Sequence, residues 1–201
     1  MLDVKDINFH YPGKSSLFQG LCLELPEKGI FKVEGANGSG KTTLLRILAT
    51  LIMPKGGEVN FCGKEITKDQ VNYLSANESA FFDQMTGDEG IRLFSLLNNH
   101  PLEKSLAKSF LKHQLYDELK NIQFYQMSSG MKRLLLLSLC FSKPARIFLL
   151  DEPFVALDKE LKAWVAKVLE TLAKECLIIV TSHEDTHSLQ YNGTYSMDDL
   201  R

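Results

Sequence analysis

The chain has 201 residues, of which 44% are hydrophobic and 24% charged, and its formal net charge is −2 at pH 7. This length is sufficient for one domain with a full hydrophobic core, and the composition is ordinary for a globular protein. Because the charges of both signs are mixed along the sequence, a nucleic-acid-binding surface or a polybasic membrane arm is not expected.

The sequence contains no candidate membrane span and no signal peptide. No stretch approaches the roughly 20 apolar residues that a membrane span needs. The first six residues carry neither a basic region nor an apolar core. We therefore expect the chain to stay in the cytosol.

The four cysteines stand far apart, without C-x-x-C spacing and mostly beside apolar neighbours: Cys22, Cys62, Cys140 and Cys176. This spacing predicts buried free thiols rather than a disulfide or a zinc site.

The N-terminal part of the chain predicts β-strands. Residues 2–9 alternate apolar and polar side chains and lead to the turn signal Pro12-Gly13, and residues 17–25 repeat the alternation. We expect these two strands to pair antiparallel and to precede a strand from Ile30 to Val33. Tyr11, just before the turn, could face a nucleotide base or only cover the sheet, and both interpretations stay open.

A phosphate-binding loop is predicted directly after this strand. The pattern G-x-x-x-x-G-K-[ST] is matched at every fixed position, with a strand-like run before it and a helix-like run after it. The glycines let successive backbone N–H groups point at an anion, and the helix adds its positive dipole end. We expect Lys41 at the β- and γ-phosphates and the Thr42 hydroxyl at Mg²⁺. The candidate nucleotide-binding residues of the loop are Gly35, Asn37, Gly38, Ser39, Gly40, Lys41, Thr42 and Thr43. An ordinary Gly/Ser turn is the weaker alternative.

The middle of the chain changes from mixed structure to helices. A helix over residues 41–51 should end at the Pro54 to Gly57 turn, and residues 58–61 and 71–74 predict short strands. From residue 88 to 141 no strand pattern stands out, and apolar residues recur at helical spacing. This segment predicts an inserted helical subdomain.

Strands return in the last third. Residues 146–150 form a continuous apolar run, which is typical of a parallel strand buried on both faces. A helix over 159–173, a buried strand over 177–180 and a last hairpin or edge element over 191–195 follow.

The first of these strands ends in Asp151 and Glu152. Asp151 at the strand end can hold Mg²⁺ through its water shell, and Glu152 can polarise the water that attacks the γ-phosphate. An acidic pair after a strand is also a common helix start. Together with the phosphate loop, the catalytic interpretation is the stronger one.

Five features stand in a definite order and spacing over roughly residues 2–190: the phosphate loop, Met127-Ser128-Ser129-Gly130-Met131, the strand Phe148-Leu149-Leu150-Asp151-Glu152-Pro153, Ala156-Leu157-Asp158, and Thr181-Ser182-His183. In these features the chain resembles the ATP-binding subunit of an ABC transporter, where the last four correspond to the signature motif, the Walker B strand, the D-loop and the switch histidine. The resemblance implies an α/β P-loop NTPase of the ABC type, with a mostly parallel core sheet, an N-terminal antiparallel β region and an inserted helical subdomain. Residues 1–75 and 142–201 would form the catalytic core, and about 76–141 the Q-loop segment and the helical subdomain.

The resemblance also implies a nucleotide-sandwich dimer, formed with a second copy or with a paired ATPase subunit. ATP on the phosphate loop would be closed over by Ser128 and Gly130 of the second subunit, while Glu152, Lys41 and His183 act in catalysis and Tyr11 lies against adenine. Ser128 as an ordinary N-cap and His183 as a surface histidine are the alternatives.

The sequence departs from the family pattern at three positions. Ala76 stands where the family usually has a glutamine, so that role is lost, moved to Asn77, or filled only when the partner is bound. Ser129 and Met131 replace a glycine and a glutamine of the signature motif. These changes are compatible with a working but slow ATPase.

A transporter subunit of this kind implies a separate polytopic membrane permease and a location on the inner face of the cell membrane. Residues 76–97 would form the docking surface, with Phe81, Phe82 and Met85 either exposed there or packed inside the subdomain. The compact length and the run from Leu149 to Asp158 look most like the small ATPases grouped with the haem exporter of cytochrome c maturation. The specific point of likeness is Phe154, in place of the commoner threonine or serine.

Two other functions remain as alternatives. One is a non-transport ABC ATPase acting on a soluble macromolecular partner, although two cassettes or a long coiled-coil insertion would be usual there. The other is a P-loop kinase or GTPase, against which the signature motif and His183 argue.

Overall fold

A computed structural model of the chain describes residues 1–76, 83–98, 114–182 and 189–200, except for the side chains of 114–116. Within these ranges there are nine strands: β1 Leu2–Phe9, β2 Phe18–Leu25, β3 Gly29–Glu34, β4 Gly56–Phe61, β5 Lys64–Glu65, β6 Val71–Leu74, β7 Ile147–Asp151, β8 Leu177–Thr181 and β9 Gly193–Ser196. The same ranges contain five α-helices: α1 Lys41–Leu48, α2 Gly87–Leu97, α3 Gln114–Leu119, α4 Ser129–Cys140 and α5 Lys159–Leu172.

A five-stranded parallel sheet, in the order β6-β7-β8-β3-β9, forms the centre of the fold. All five residues of β7 and all five of β8 are buried, as their continuous apolar sequences predict. The register places Asp151 beside Thr181, and Thr181 beside Val33. The carboxyl ends of β7, β8 and β3 therefore meet at one edge of the sheet, which is where open parallel sheets bind ligands.

A second, antiparallel sheet has the order β2-β1-β4-β5. The alternating apolar residues of β1 and β2 face inward and share one hydrophobic core with α1 and with one face of the parallel sheet. The predicted antiparallel pairing of β1 with β2 is confirmed. Because α1 packs in this core, the phosphate loop that precedes it is fixed between the two sheets.

The other face of the parallel sheet is covered by α5 and by one side of α4. The opposite side of α4 contributes to a third apolar cluster with α2, α3 and the short 3₁₀ helix Phe124–Gln126. Leu134 and Leu137 pack against the parallel sheet, whereas Leu135 and Leu139 pack in the third apolar cluster. Helix α4 therefore joins the helical segment to the parallel sheet.

The predicted fold class is confirmed, with one local difference. Helix α1 ends at Leu48 rather than near residue 51, because Thr50 adopts a left-handed backbone with φ 56°. Of the two alternatives predicted for the tail, the edge element is the one observed, since β9 pairs parallel with β3 at the edge of the sheet. In the described part of the chain, no helix has the length and apolar character needed to cross a membrane.

The cysteine prediction is half confirmed. All four thiols are free, as expected, but Cys22 and Cys62 are exposed. Cys22 lies on the outward face of β2, and Cys62 lies in the turn between β4 and β5 with φ 54°. Cys140 and Cys176 are half-buried, and burial raises the pKa of the Cys140 thiol to about 12 and also raises that of Cys176.

Candidate functional site

The phosphate loop curls tightly between β3 and α1. Gly40 takes a left-handed backbone with φ 103° at the N-terminus of α1, and a Cβ there would lie 2.6 Å from the Phe18 ring. Only glycine satisfies both conditions. The loop is closed by a hydrogen bond from the Ser39 N–H to the Ala36 carbonyl at 3.1 Å. The local sequence therefore dictates a loop that leads directly into a helix N-terminus, where anions are stabilised.

Lys41 is the cation at the centre of this loop. Its side chain is 7% exposed, and Nζ donates to the Gly35 and Ala36 carbonyls at 2.8 and 3.1 Å. Burial lowers the pKa of Lys41, while the charges of Glu152 and Asp151 oppose that shift. The lysine is thus a positive group held beside two carboxylates and ready to donate to an incoming anion.

The phosphate loop and β7 meet at a hydroxyl–carboxylate contact. The Thr42 hydroxyl donates to Asp151 Oδ2 at 2.8 Å, although the two residues are 109 positions apart. The Thr181 hydroxyl donates to the other carboxylate oxygen, Oδ1, at 2.6 Å. Asp151 is buried, and its carboxylate is therefore held from both sides by charge-assisted hydrogen bonds.

This donor set fits Mg²⁺. Hydroxyl and carboxylate oxygens are its preferred ligands, and Mg²⁺ sites commonly combine one carboxylate with substrate phosphates. Among the described residues, no group of three His, Cys, Asp or Glu side chains is arranged to hold a metal ion. Thr42 and Asp151, whose oxygens meet at 2.8 Å, are the residues that would hold Mg²⁺ together with substrate phosphates.

Glu152 follows directly and has an unusual backbone. Its φ is +52°, in the left-handed region that side-chain-bearing residues rarely adopt. Its N–H donates to the Thr181 carbonyl at 3.0 Å. The left-handed turn brings Glu152 to the cavity that Lys41 and Asp151 also line. Strain of this kind is concentrated at functional sites.

A cavity of about 560 Å³ opens in front of these groups, a volume in the usual range for small-molecule sites. Tyr11 lies at its rim, where its hydroxyl contacts Thr43 Oγ1 at 3.1 Å and its ring packs edge-on against Phe9. The cavity is lined by residues from the β1–β2 connection, the phosphate loop and the start of α1, the segment after β6 and the end of β7: Tyr11, Lys14, Ser15, Ser16, Leu17, Asn37, Gly38, Gly40, Lys41, Thr42, Thr43, Ala76, Asp151 and Glu152.

Ser128 and Gly130 do not line this cavity. Ser128 is the N-cap of α4, and its hydroxyl accepts from the Met131 N–H at 3.3 Å, so the N-cap alternative holds for the chain by itself. Gly130 packs against the next loop, because a Cβ there would lie 2.9 Å from the Ala156 carbonyl. The structure therefore separates these two residues from the loop that was predicted to bind phosphate.

Several predicted residues lie outside the described ranges, namely His183, Asn77, Phe81 and Phe82. Met85 is half-buried and packs in the third apolar cluster. Of its two predicted locations, packing inside the helical segment is therefore the one observed. Ala76 is exposed and lines the cavity.

Sequence reasoning did not identify Arg133. It is buried in α4 and donates to backbone carbonyls around Asp151 and Glu152. The available signal was a charged residue directly before the apolar run Leu134 to Leu139, because a buried charge in a helix requires specific partners. Lys14, Ser15 and Ser16 at the cavity rim were also missed, and nothing in their local pattern marks them.

The sequence is similar to a family of known proteins. The family model described as ABC transporter matches residues 13–155. The cytochrome c biogenesis ATP-binding export protein CcmA of Legionella pneumophila (strain Lens) is 34% identical over 194 residues, which cover 92% of this chain and 94% of that protein.

Two solved structures share the fold at lower identity. A bacterial Atm1-family ABC exporter with ATP bound has a TM-score of 0.84 at 17% identity, covering 100% of this chain and 37% of that one. A dimeric ATP-binding cassette in a post-hydrolysis state, bound to ADP and Pi, has a TM-score of 0.77 at 17% identity and covers 92% and 88% of the two chains. The family match spans most of this chain, and the chain therefore belongs to the ABC transporter family as one of its ATP-binding subunits.

Proposed function

We propose that this chain hydrolyses ATP in a sandwich dimer and thereby powers export through a separate membrane subunit. The observation that carries the proposal is that two hydroxyls hold the Asp151 carboxylate, that of Thr42 at 2.8 Å and that of Thr181 at 2.6 Å. This carboxylate lies beside Lys41 and in front of an open cavity. The export protein CcmA, similar over most of the chain, supports the direction of transport.

Each residue of the proposed site would have its own task in the reaction. Lys41 Nζ, which now donates to the Gly35 and Ala36 carbonyls, would donate to phosphate oxygens instead, since it is buried and positioned for an anion. Thr42 and Asp151 would hold Mg²⁺, which when bound offsets negative charge on the β- and γ-phosphate oxygens. Tyr11 would contact the adenine at the cavity rim. Gly35, Asn37, Gly38, Ser39, Gly40 and Thr43 complete the proposed cradle.

Glu152 is the proposed catalytic base. It would accept the proton of the water that attacks the γ-phosphorus, while the bond from that phosphorus to the bridging oxygen breaks and releases ADP. His183 is proposed to contact the γ-phosphate from its position two residues after β8.

The second half of the site would come from the partner subunit. Because Ser128 and Gly130 lie away from the cavity of their own chain, they are free to close over the nucleotide of a partner at the N-terminus of α4. We propose the same division of the chain as the sequence suggested, with 1–75 and 142–201 as the catalytic core and 76–141 as the segment that contacts the membrane subunit. The complex would lie on the cytoplasmic face of the membrane.

Copurification tests this proposal. Tagged wild-type chain is purified from detergent-solubilised membranes, copurifying proteins are identified by mass spectrometry, and ATP hydrolysis is measured with and without them. We expect a polytopic membrane protein that stimulates hydrolysis. A Lys41→Met variant should bring down the same protein but show no hydrolysis. Recovery of an active ATPase only with soluble macromolecules would instead support the non-transport alternative.

A further inference from the structure

Arg133 lies buried between α4 and the carboxyl end of β7. Its side chain is 3% exposed, and a charge so deeply buried is stable only when its donors are satisfied. Nη1 donates to the Ser75 carbonyl at 2.7 Å, and Nη2 donates to the Asp151 carbonyl and, at 2.6 Å, to the Glu152 carbonyl. Nε donates to the Pro153 carbonyl at 3.4 Å. One guanidinium therefore contacts three consecutive carbonyls of the catalytic segment.

These contacts explain how Glu152 keeps its left-handed backbone. The N–H of Glu152 is held by the Thr181 carbonyl at 3.0 Å, and its C=O is held by Arg133 at 2.6 Å. Both peptide groups that flank the Glu152 Cα are thus fixed by partners from outside the segment. A residue with φ of +52° persists only where its surroundings determine its conformation in this way.

Helix α4 also contacts the loop that follows β7. In the first turn of α4, the Cα of Gly130 lies so close to the Ala156 carbonyl that a Cβ would approach it to 2.9 Å. Arg133 lies one turn further along the helix. Helix α4 and the backbone from Asp151 to Ala156 are therefore joined at two places, so that a shift of one must displace the other.

We propose that Arg133 is a positioning residue for ATP hydrolysis, which sets the place of the Glu152 carboxylate and ties it to α4. The inference rests on the proposed function, in which Glu152 serves the chain's own nucleotide while Ser128 and Gly130 of α4 serve the partner's. Arg133 then makes the two nucleotide sites of the dimer mechanically dependent on each other. The Ser75 contact extends this link to the end of β6, next to the segment proposed to face the membrane subunit.

The test is steady-state hydrolysis by Arg133→Lys and Arg133→Met, with Arg146→Lys as the matched control. Arg146 is an exposed arginine directly before β7 that pairs with Glu27 at 3.5 Å and does not line the cavity. We expect kcat to fall by about 10- to 100-fold in Arg133→Met, the usual scale for a misplaced catalytic group, while KM changes by less than about threefold. Arg133→Lys should recover part of kcat, since an ammonium can still donate to some of the carbonyls. Arg146→Lys should match the wild type.

A double-mutant cycle separates positioning from general stability. If Arg133 acts through Glu152, adding Arg133→Lys to Glu152→Gln should not lower the residual single-turnover rate further. Unchanged kcat in Arg133→Lys and Arg133→Met, or an equal loss in the Glu152→Gln background, would overturn the proposal. Loss of ATP binding by Arg133→Lys would also overturn it, because that outcome indicates a purely structural role. An inactive wild type would instead refute the proposed function.

Discussion

Replacing Thr181 by valine removes one hydroxyl from the centre of the site with little change in shape. Thr181 is fully buried, and its hydroxyl donates to Asp151 Oδ1 at 2.6 Å. A hydrogen bond to a charged group contributes about 1.5–3 kcal/mol to the free energy of unfolding. For a chain of this length, about 1 kcal/mol shifts Tm by roughly 2–4 °C, so Tm should fall by about 3–12 °C. Differential scanning fluorimetry without nucleotide, together with urea unfolding followed by circular dichroism, measures both quantities.

Thr181→Ser is the matched control, because it keeps the hydroxyl and removes only a methyl group. Its cost should be about 0.8 kcal/mol, the value of one buried methylene-sized group. ATP hydrolysis should also fall further in the valine variant, since Asp151 loses one of the two donors that orient it. A valine variant that is as stable as the serine variant would refute the assigned role of this hydrogen bond.

Three further predictions concern charge, thiols and backbone. Because burial lowers the pKa of Lys41, the unfolded chain binds more protons than the native one at pH values between the lowered pKa and about 10.5. The free energy of unfolding of the wild type relative to Lys41→Met should therefore rise with pH across that window in urea titrations. Cys62, which is exposed, should be alkylated within minutes at pH 8.5, whereas Cys140, with a pKa of about 12, should react only after unfolding, as followed by mass spectrometry. Gly57→Ala should be much less stable than Gly63→Ala in thermal melts, since a Cβ meets backbone oxygen at 2.4 Å at Gly57 and nothing within 4 Å at Gly63, although both have positive φ.

The parts of the site that depend on local pattern could be predicted from the sequence. The loop around Lys41 follows from glycine spacing between a strand and a helix, and the acidic end of β7 follows from an apolar run that stops at Asp151. The two elements meet because parallel strands bring their carboxyl ends to one edge of the sheet. The structure brings together, at 2.8 Å, Thr42 and Asp151, the two residues that the motifs predict as magnesium ligands.

The parts that depend on packing between distant segments could not be predicted in the same way. Arg133 acquires its meaning only when α4 lies against the end of β7, and no local spacing specifies that contact. The pairing of β9 with β3 joins residues more than 150 positions apart, so the local sequence left a hairpin and an edge element both open. Cys22 is a different case, because it alternates in phase with Glu24 in β2 and its exposure was visible in the sequence.

We propose that the chain carries half of a nucleotide site and that only a second subunit completes it. Size-exclusion chromatography with light scattering on Glu152→Gln, with and without Mg-ATP, tests it most directly. If the partner is a second copy, we expect a monomer without nucleotide and a stable dimer with ATP, and Ser128→Arg in the same background should abolish that dimer. A Glu152→Gln chain that binds ATP but pairs with no second ATPase subunit, either alone or within the complex that copurifies with it, would contradict the sandwich-dimer proposal.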